Sequence, residues 1–532
     1  MCVNESANAA PDLAADVSRT MERAIADGTV RAASIGFYDD GATRVVGFGR
    51  LGRDDPRTPD GGTAFEIGSI SKVFTALLAQ TQVDAGRLSW SDTIAERLNA
   101  RPFASGRVAA IELRELATHA SGLPTLPANF APTDFEDPYA GYDRERLIGF
   151  LTGFDPPGLD KEYAYSNLGM GLLGEIAADA AGAPYAEAMA REVLGPLALR
   201  DTSVAATPEL AERLAQGYSA GIDMPNWGGF DALAGAGALV STVDDMLGFI
   251  AANLEPDALA DALGAIAVPR GAGVTGYGWH LQSFGDGDTV LWHNGSTGGY
   301  ASFLAIRPQA RTGIVVLTAS TDAGLVTDLG FTAIVGAPES PAGISDLSPY
   351  PGTYRLDDDF LLTVYRDDDE LFAQATGQAA FRLRAVDAHR FAYVPADIEI
   401  EFAKLDDGAA QALTLTQAGT VTPAARIDDT DLDPIREIIR LDAANLADYV
   451  GEYTLAPGVV ITVDAAGEQL YAQLTHQARF PVFAYADARF VYRVVDARLE
   501  FERDASGAVV AVILHQHGKQ RAPRRQVGEQ PD

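Results

Sequence analysis

The first part of the chain mixes helical and strand-like spacing of its hydrophobic positions. Hydrophobic residues recur at four-residue steps between positions 13 and 25, which predicts an amphipathic helix that stops at Gly28. Two strand-like runs follow at 33–38 and 44–48, separated by the turn-forming sequence Asp-Asp-Gly. The pattern therefore predicts a helix and a hairpin ahead of the next element.

A second helical pattern begins beside Ser69. An extended approach ends at Gly68, and hydrophobic residues then recur at helical spacing until Gly86. Ser69 and Lys72 are three residues apart and so share one face of this helix. An amine one turn from a hydroxyl can polarise it or take its proton once burial lowers the lysine pKa. The pair predicts a serine nucleophile without a histidine base, although Ser-x-x-Lys alone is common in surface helices.

Tyr165 and Asn167 follow a Pro/Gly-rich segment and precede a helical pattern at 168–181. Both are therefore expected on a loop at the start of a helix. A phenol near a cationic lysine can be shifted toward phenolate and serve as a general base. The two residues are unremarkable without the Ser69 helix nearby.

A glycine-rich stretch at 291–306 has the hydrophobic pattern of a strand, and His293 lies near its start. Gly295 and the Gly298-Gly299 pair would let another backbone or a substrate come close. A hairpin turn is predicted just before this stretch, at 285–288, and a second strand after it, at 312–319. Taken alone, the stretch is also consistent with an ordinary sheet hairpin.

His119 follows a short predicted helix that ends at Ser121-Gly122. We interpret it as structural, because a histidine in the last helical turn can bond nearby carbonyls and complement the helix dipole. A catalytic base is the alternative interpretation of His119.

The composition is that of a globular protein with several cores. The chain has 532 residues, of which 47% are hydrophobic and 21% charged, and no hydrophobic run approaches the length of about 18 residues that spans a membrane. Lys and Arg number 40 against 74 Asp and Glu, which gives a net charge of -34. Such a surface repels nucleic acid and anionic membranes, so neither is expected as a partner.

Cys2 is the single cysteine, so the fold must form without an intramolecular disulfide. Its place beside the first residue is consistent with a lipoprotein terminus, and Ala7-Asn8-Ala9 with a signal cleavage site. A disordered tail is the favoured interpretation of this segment. The location of the protein stays open between the periplasm, including a lipoprotein derived through Cys2, and the cytoplasm.

The three chemical segments together resemble the signature motifs of the serine β-lactamase and penicillin-binding-protein superfamily. In chain order the motifs are Ser69-x-x-Lys72, Tyr165-x-Asn167 and His293-x-Gly295. The class C-like branch, peptidase family S12, is the most similar over about residues 1–340. That branch includes D-aminopeptidases, DD-carboxypeptidases and family VIII esterases. The resemblance implies an α/β catalytic domain in which helices pack on an antiparallel sheet.

The resemblance also implies a role for each motif residue. Ser69 becomes the acylated nucleophile, and Lys72 tunes both Ser69 and Tyr165. Tyr165 becomes the proton shuttle, and Asn167 orients Lys72 and the substrate amide. The chemistry needs neither a metal nor a cofactor.

The third motif would bind the substrate. His293 stands where many relatives have a lysine, and Gly295 follows it on the substrate-binding strand. The backbone amides of Ser69 and Ser296 would form the oxyanion hole. Relatives that grip a substrate carboxylate usually have a threonine hydroxyl where this chain has Asn294, which disfavours efficient β-lactam or D-Ala-D-Ala turnover.

The last third of the chain is an internal repeat with a constant offset of 99 residues. Tyr350-Pro-Gly-Thr-Tyr matches Tyr449-Val-Gly-Glu-Tyr, and the predicted correspondence runs without a gap to Arg426 and Arg525. Short alternating strands after a Pro/Gly linker predict two small antiparallel β-barrels, at 341–440 and 441–532.

Each barrel resembles the lipocalin-like barrels appended to some serine hydrolases of this superfamily. Side chains can fill a barrel of this size, so a structural or gating role is favoured over lipid binding. His515 and His517 would face one side of a strand, but the first copy has Thr416 and Ala418 there, which disfavours a metal site.

The architecture most resembles a D-aminopeptidase, so we expect a serine hydrolase that releases N-terminal residues from short or D-residue-containing peptides. A family VIII-type carboxylesterase or a weak β-lactamase is the first alternative, because one catalytic centre serves esters, amides and lactams. A penicillin-recognising sensor that acylates without turnover is the second. The expected partner is a small peptide, amide or ester, and a homodimer is left open.

Overall fold

The computed structural model describes most of the 532-residue chain. The described residues are 10–98, 102–132, 134, 136–228, 230–255, 257–270, 274–283, 288–336, 346–403, 405–406, 408–417, 419–427, 434–475, 477, 479–516 and 518–525. For 10–16 and 405–406 the backbone alone is described. The predictions that concern Cys2, the segment 7–9, the 285–287 part of the hairpin turn, Ala418 and His517 lie outside the described residues. The chain divides into two compact units, Met1–Ile334 and Val335–Asp532.

The first unit holds all but one of the α-helices of the described residues. They are α1 (Ala10–Ala26), α2 (Ser71–Asp84), α3 (Ile94–Leu98), α4 (Gly106–Ala109), α5 (Leu113–Ala117), α6 (Arg144–Gly153), α7 (Asn167–Ala181), α8 (Tyr185–Met189), α9 (Pro208–Ala211), α10 (Val243–Leu254), α11 (Ala260–Ala267) and α12 (Ala323–Val335). Short 3-10 turns span Gly68–Ile70 and Asp231–Ala236, and a π-helical turn spans Ala190–Leu194.

The strands of the first unit form one large and two small sheets. They are β1 (Ala32–Asp39), β2 (Ala42–Gly49), β3 (Ala64–Glu66), β4 (Ser203–Val204), β5 (Gly217–Ser219), β6 (Ile222–Met224), β7 (Leu239–Thr242), β8 (His280–Ser283), β9 (Thr289–Ser296), β10 (Ala301–Arg307) and β11 (Thr312–Ala319). The large sheet has the order β2-β1-β11-β10-β9-β8, and all its pairs are antiparallel. The predicted antiparallel sheet with helices is confirmed.

Helices cover both faces of the large sheet. A Cβ on Gly36 of β1 would collide with Val243 of α10, and a Cβ on Gly330 of α12 would collide with Phe303 of β10. Gly36 and Phe303 belong to alternate cross-strand rows, so α10 and α12 lie on opposite faces. Both close approaches need glycine, since any side chain would force helix and sheet apart.

Helix α2 forms the centre of the first unit. Nearly every residue from Ser71 to Gln82 is buried, including Phe74, Leu77 and Leu78, so the helix has no solvent face. It packs against α7 and α11. A helix that is buried all round is held by packing on every side, which gives its first turn a fixed position.

The 291–306 stretch is two strands, not the single strand expected from its pattern. Strands β9 and β10 pair antiparallel, with Ser296 opposite Ala301, and Thr297–Tyr300 form the turn between them. The glycines of the stretch do allow neighbouring groups to come close, as predicted. Gly298 and Gly299 also lie in the turn where the chain reverses direction. The predicted strand at 312–319 is β11, and β1, β2 and α1 lie where the sequence predicts them.

The second unit contains two eight-stranded antiparallel sheets. The first is a closed barrel of β12 (Gly352–Asp357), β13 (Phe360–Asp367), β14 (Glu370–Ala375), β15 (Ala380–Ala385), β16 (Arg390–Tyr393), β17 (Ile398–Phe402), β20 (Ala412–Gln417) and β21 (Thr420–Ile427), with β18 (Leu405–Asp406) and β19 (Ala409–Ala410) beside it. The second, preceded by α13 (Ala443–Ala447), is a nearly closed sheet of β22 (Gly451–Ala456), β23 (Val459–Ala466), β24 (Gln469–Leu474), β25 (Arg479–Ala486), β26 (Arg489–Tyr492), β27 (Arg498–Arg503), β28 (Val509–His515) and β29 (Lys519–Pro523). The two predicted barrels are confirmed.

Equivalent aromatic residues make equivalent contacts in the two copies. The Tyr350 and Phe402 rings lie 4.8 Å apart, as do those of Tyr449 and Phe501. The hydroxyl of Tyr354 donates to Tyr350 O at 2.7 Å, and its counterpart 99 residues later repeats this bond at the same length. The aromatic residues therefore fill each barrel interior, as expected at this size.

The repeat shifts by one residue near its end, so the gapless correspondence of Arg426 with Arg525 is wrong. Tyr354 pairs with Arg426 in the first copy, and Tyr453 with Arg524 in the second. The reason is the preceding turn: Thr416 pairs with Val421, whereas its counterpart His515 pairs with Lys519, so the turn is one residue shorter in the second copy.

No helix among the described residues has both the length and the hydrophobicity to cross a membrane.

Candidate active site

Ser69 lies in the 3-10 turn that joins β3 to α2. Gly68 adopts a left-handed φ of 48°, and a Cβ there would lie 2.7 Å from Ser296 N. A Cβ on Gly295 would overlap Ile67 O, to which Ser302 donates a hydrogen bond at 2.8 Å. The nucleophile turn thus packs directly against the end of β9, which the glycines make possible.

Lys72 is fully buried beneath Ser69. A hydrogen bond of 2.8 Å joins its Nζ to Ser69 Oγ, and Nζ donates to Ala236 O at 2.7 Å. Burial holds the pKa of Lys72 well below its usual value of 10.5. An amine of lowered pKa can be neutral near pH 7, and its lone pair can then accept a proton from Ser69.

Tyr165 stands on the other side of the nucleophile. Its hydroxyl is hydrogen-bonded to Ser69, and Lys72 Nζ lies 4.7 Å from the centre of its ring. Burial raises the pKa of Tyr165, and the Ser69 hydrogen bond opposes this only in part. The shift is opposite to the expected move toward phenolate, because burial disfavours the charged phenolate more than the Ser69 hydrogen bond favours it.

Asn167 is the first residue of α7, not a loop residue as its pattern suggested, and Ser166 caps the helix. The phenol of Tyr139 is hydrogen-bonded to Asn167. Asn167 Oδ1 is buried and has no hydrogen-bond partner among the described residues. The second partner of Lys72 is Ala236 O, so the expected hydrogen bond from Asn167 to Lys72 is not part of this geometry.

His293 lies on the sheet face that carries α10, because it pairs with Leu304 in that cross-strand row. It is 1% exposed; its Nδ1 lies 2.6 Å from Asn294 O, and its Nε2 has no partner among the described residues. Burial lowers its pKa well below 6.5, helped by His280 and Lys72. The imidazole is therefore neutral, unlike the lysine of many relatives.

Asn294 lies on the opposite face of the sheet. Its side-chain amide donates to the Thr327 hydroxyl of α12 at 3.1 Å. The position is thus used to attach the helix to the sheet. Ser296, by contrast, ends β9 next to Gly68, where its backbone amide adjoins the nucleophile turn as the oxyanion hole requires.

His280 is a site residue that the sequence analysis missed. Its ring lies 4.6 Å from that of His293 and 6.3 Å from that of Tyr165. Burial and Lys72 lower the pKa of His280 to about 4. The sequence could have indicated His280, because a hairpin turn predicted at 285–288 makes the strand before it pair with the strand that holds His293. In the structure His280 pairs with Trp292, the neighbour of His293.

His119 supports the site from below Tyr165, with 4.5 Å between the ring centres. It follows α5 with a φ of 58°, and its Nδ1 accepts a hydrogen bond from Ser166 N at 3.1 Å. The structural interpretation is retained, but its reason was wrong. His119 holds the Tyr165 loop as an acceptor and does not cap the carbonyls of its own helix.

Replacing His119 should make the free energy of unfolding of the first unit depend less on pH under acidic conditions. Burial lowers the pKa of His119 to about 3, so between pH 3 and about 6.5 the unfolded chain binds a proton that the folded chain does not. Stability from this group is complete above pH 6.5 and falls as the pH falls. In His119→Asn, which retains an acceptor and tolerates positive φ, the free energy of unfolding should depend on pH less steeply by about 1.4 kcal/mol per unit.

Urea titrations between pH 4 and 6, followed by tryptophan emission, measure this slope. All four tryptophans lie before residue 293, so the signal reports the first unit. Equal slopes in the two proteins would show that His119 is already protonated in the fold.

The site as a whole combines a hydroxyl, a buried amine and a phenol around one reacting atom. It can form an ester on Ser69, with a proton acceptor in Lys72 on one side, a protonated phenol in Tyr165 on the other, and the backbone amide of Ser296 nearby for the oxyanion. Its surroundings are uncharged imidazoles and phenols.

Comparison with known proteins covers both units. The family model described as Beta-lactamase matches residues 17–335, and that of a domain of unknown function, DUF3471, matches 436–527. The chain is 27% identical to a beta-lactamase of Pseudomonas fluorescens over 58% of this chain and 94% of the relative. It is 24% identical to penicillin-binding protein 4* of Bacillus subtilis (strain 168), over 71% of this chain and 91% of the relative.

A solved structure has the same fold. The beta-lactamase/D-alanine carboxypeptidase of Pseudomonas syringae superposes with a TM-score of 0.54 at 23% identity. The match covers 61% of this chain and 99% of that one.

Proposed function

Because the chain belongs to the beta-lactamase family of serine hydrolases, we propose that it cleaves acyl substrates without a carboxylate through an acyl-enzyme on Ser69. A D-aminopeptidase-like activity on short or D-residue-containing peptides fits this proposal best. The serine hydrolase chemistry follows from the family, whereas the substrate follows from the surroundings of Ser69.

The acylation step uses the three groups around the nucleophile. Neutral Lys72 accepts the proton as Ser69 Oγ attacks the substrate carbonyl, and the amides of Ser69 and Ser296 stabilise the oxyanion. Tyr165, hydrogen-bonded to Ser69, then passes a proton to the leaving amine or alcohol and regains one from Lys72. In deacylation a water molecule takes the place of the leaving group and the same transfers run in reverse.

The neutral, buried His293 carries the substrate proposal. The ionisable groups that influence the pKa values of Tyr165, His119, His280 and His293 are histidines, tyrosines and Lys72, with no arginine among them. Burial also lowers the pKa of Lys72, so this amine is a poor source of positive charge for a substrate. A substrate carboxylate would enter this site without a counter-charge and lose its hydration, whereas an uncharged amide or ester group would not.

A carboxylesterase is the second candidate. Tyr163 is 47% exposed, and its ring lies 6.2 Å from that of His280. An exposed aromatic ring beside the imidazoles of the site suits an apolar acyl group or alcohol.

A substrate panel tests the proposal. We would measure kcat/KM on D- and L-alanyl p-nitroanilide, N-acetyl-D-alanyl p-nitroanilide, p-nitrophenyl acetate and butyrate, and a chromogenic cephalosporin. The proposal predicts that D-alanyl anilide exceeds its N-acetylated form and that the cephalosporin, which carries a carboxylate, is the poorest substrate. The p-nitrophenyl esters should be hydrolysed too.

Each other outcome has a distinct meaning. A kcat/KM on the butyrate ester far above that on every anilide would indicate an esterase and not an aminopeptidase. A cephalosporin ahead of all others would contradict the uncharged-substrate argument and indicate a β-lactamase. One-to-one acylation without product release would indicate a penicillin-recognising sensor.

A further inference from the structure

Glu66 is a buried carboxyl that the acyl-transfer chemistry does not use. It ends β3, three residues before the nucleophile, and is 4% exposed. Its Oε1 accepts a hydrogen bond from Trp227 N at 2.6 Å, while Oε2 is buried. Burying a carboxyl group costs free energy unless hydrogen bonds or opposite charges compensate for its lost hydration.

A second carboxylate holds the next peptide group. Asp137 Oδ2 accepts a hydrogen bond from Gly228 N at 3.0 Å, beside the bond from Trp227 N to Glu66. Two acidic side chains from distant segments thus bind consecutive amides. We call Glu66, Asp137 and the 227–228 peptide the carboxylate clamp.

The carboxylate clamp holds the Trp227 backbone where its indole packs against Gly298. A Cβ on Gly298 would meet this ring, and Gly298 belongs to the turn that begins after Ser296. On its other side the indole lies 5.5 Å from the ring of Tyr139, which is hydrogen-bonded to Asn167. The indole therefore connects the turn Thr297–Tyr300, which we call the oxyanion turn, to the Tyr165-x-Asn167 motif.

Glu66 also faces the oxyanion turn directly. The Thr297 hydroxyl is close enough to lower the pKa of Glu66, and Glu66 in turn raises the pKa of buried Tyr300. The ionisable groups that face Glu66 are therefore Asp137 and Tyr300. Thr297 and Tyr300 are joined by a backbone hydrogen bond of 3.0 Å across the turn.

We propose that Glu66 is a positioning residue whose ionised carboxylate holds Trp227, and through its indole the oxyanion turn, against the nucleophile strand. The ionised form accepts the hydrogen bond from the Trp227 amide, and its second oxygen is near the Thr297 hydroxyl. Neither that oxygen nor that hydroxyl has another hydrogen-bond partner among the described residues. Protonation removes acceptor capacity and loosens both segments. This role rests on the proposed acyl transfer at Ser69, which it serves without contacting substrate.

The charge on Glu66 changes within the physiological range. Burial, with a smaller contribution from Asp137, raises its pKa to about 7, against the opposing effects of Thr297 and Trp227. The clamp is therefore complete above pH 7 and loosens as the pH falls below it. Removing the charge of Asp137 should lower this midpoint, because the two carboxylates repel each other.

Tryptophan emission of the intact chain between pH 5 and 9 tests the proposal independently of hydrolysis. The natural protein should show a transition near pH 7 that is absent from Trp227→Phe, which assigns it to this indole. Glu66→Gln should lack the transition, and Asp137→Asn should move it to lower pH. A transition that persists unchanged in Glu66→Gln, or that Asp137→Asn leaves in place, would overturn the assignment.

Kinetics then connect the clamp to catalysis. On p-nitrophenyl acetate, kcat of the natural protein should fall below pH 7 with the same midpoint as the emission, and Asp137→Asn should shift both together. A pH profile of kcat whose midpoint differs from that of the tryptophan emission would overturn the positioning role. If Glu66→Gln does not fold, the Asp137→Asn shift decides alone. If the protein hydrolyses nothing, the proposed function fails while the emission still reports on Glu66.

Discussion

Ser69→Ala should lower kcat/KM by about 10³-fold or more on every substrate, because no other group can form the covalent intermediate. The structure predicts no loss of fold, since the Ser69 side chain is half-buried and its bonds are made to Lys72 and Tyr165. The melting temperature of the variant should match that of the natural protein. Residual activity within tenfold would assign the nucleophile elsewhere.

Ser71→Ala is the matched control for this loss. Ser71 Oγ is buried and accepts a hydrogen bond from Leu239 N at 3.0 Å, with no bond to Ser69, Lys72 or Tyr165. Its removal leaves a buried amide without a partner, which costs about 1–3 kcal/mol of stability. The control should therefore melt earlier and retain most of its activity, the reverse of Ser69→Ala.

Lys72→Met should lower kcat/KM by about 10³-fold while preserving the fold, since methionine fills a similar volume in a fully buried position. The natural protein should gain activity with rising pH as Lys72 loses its proton, at a midpoint well below 10.5. The variant should lack this step and retain the one near pH 7 that is assigned to Glu66. Measuring kcat/KM of both proteins from pH 5 to 10 on p-nitrophenyl acetate checks the size and the shape of the effect.

Tyr165→Phe separates the two candidate bases. Because burial lowers the pKa of Lys72 and raises that of Tyr165, we expect the phenylalanine variant to lose about 10²-fold, less than Lys72→Met. It should also retain the pH step assigned to Lys72. A larger loss in Tyr165→Phe, with the step removed, would make the phenol the base and Lys72 its electrostatic partner.

Local spacing predicted the part of the site whose residues are close in the chain. Ser69 lies in the 3-10 turn that continues directly into α2, so Lys72 follows it by about one helical turn, as the separation of three residues implies. Gly182 ends α7 in the left-handed conformation that a glycine stop implies. The 99-residue offset likewise revealed both barrels, because each copy repeats its own pairing.

Contacts between segments that are distant in the sequence could not be predicted from the spacing of residues. Ala236 O binds Lys72 across 164 residues, and Trp227 N binds Glu66 across 161. Ala236 O and Trp227 N are backbone groups, and nothing in the local sequence marks either of them as a partner of the site. The charge states of Lys72 and Tyr165 also depend on burial by the whole first unit, so the expected phenolate failed for a reason that no motif contains.

Mapping the acyl group is the most direct test of the account. We would mix the protein with a slowly released p-nitrophenyl ester, quench within the burst, and determine the intact mass and the modified peptide. The account predicts one acyl group per chain, on Ser69, which disappears at the rate of steady-state turnover and never forms in Ser69→Ala. An acyl group on another residue, or product release at full rate with Ser69 unmodified, would contradict it.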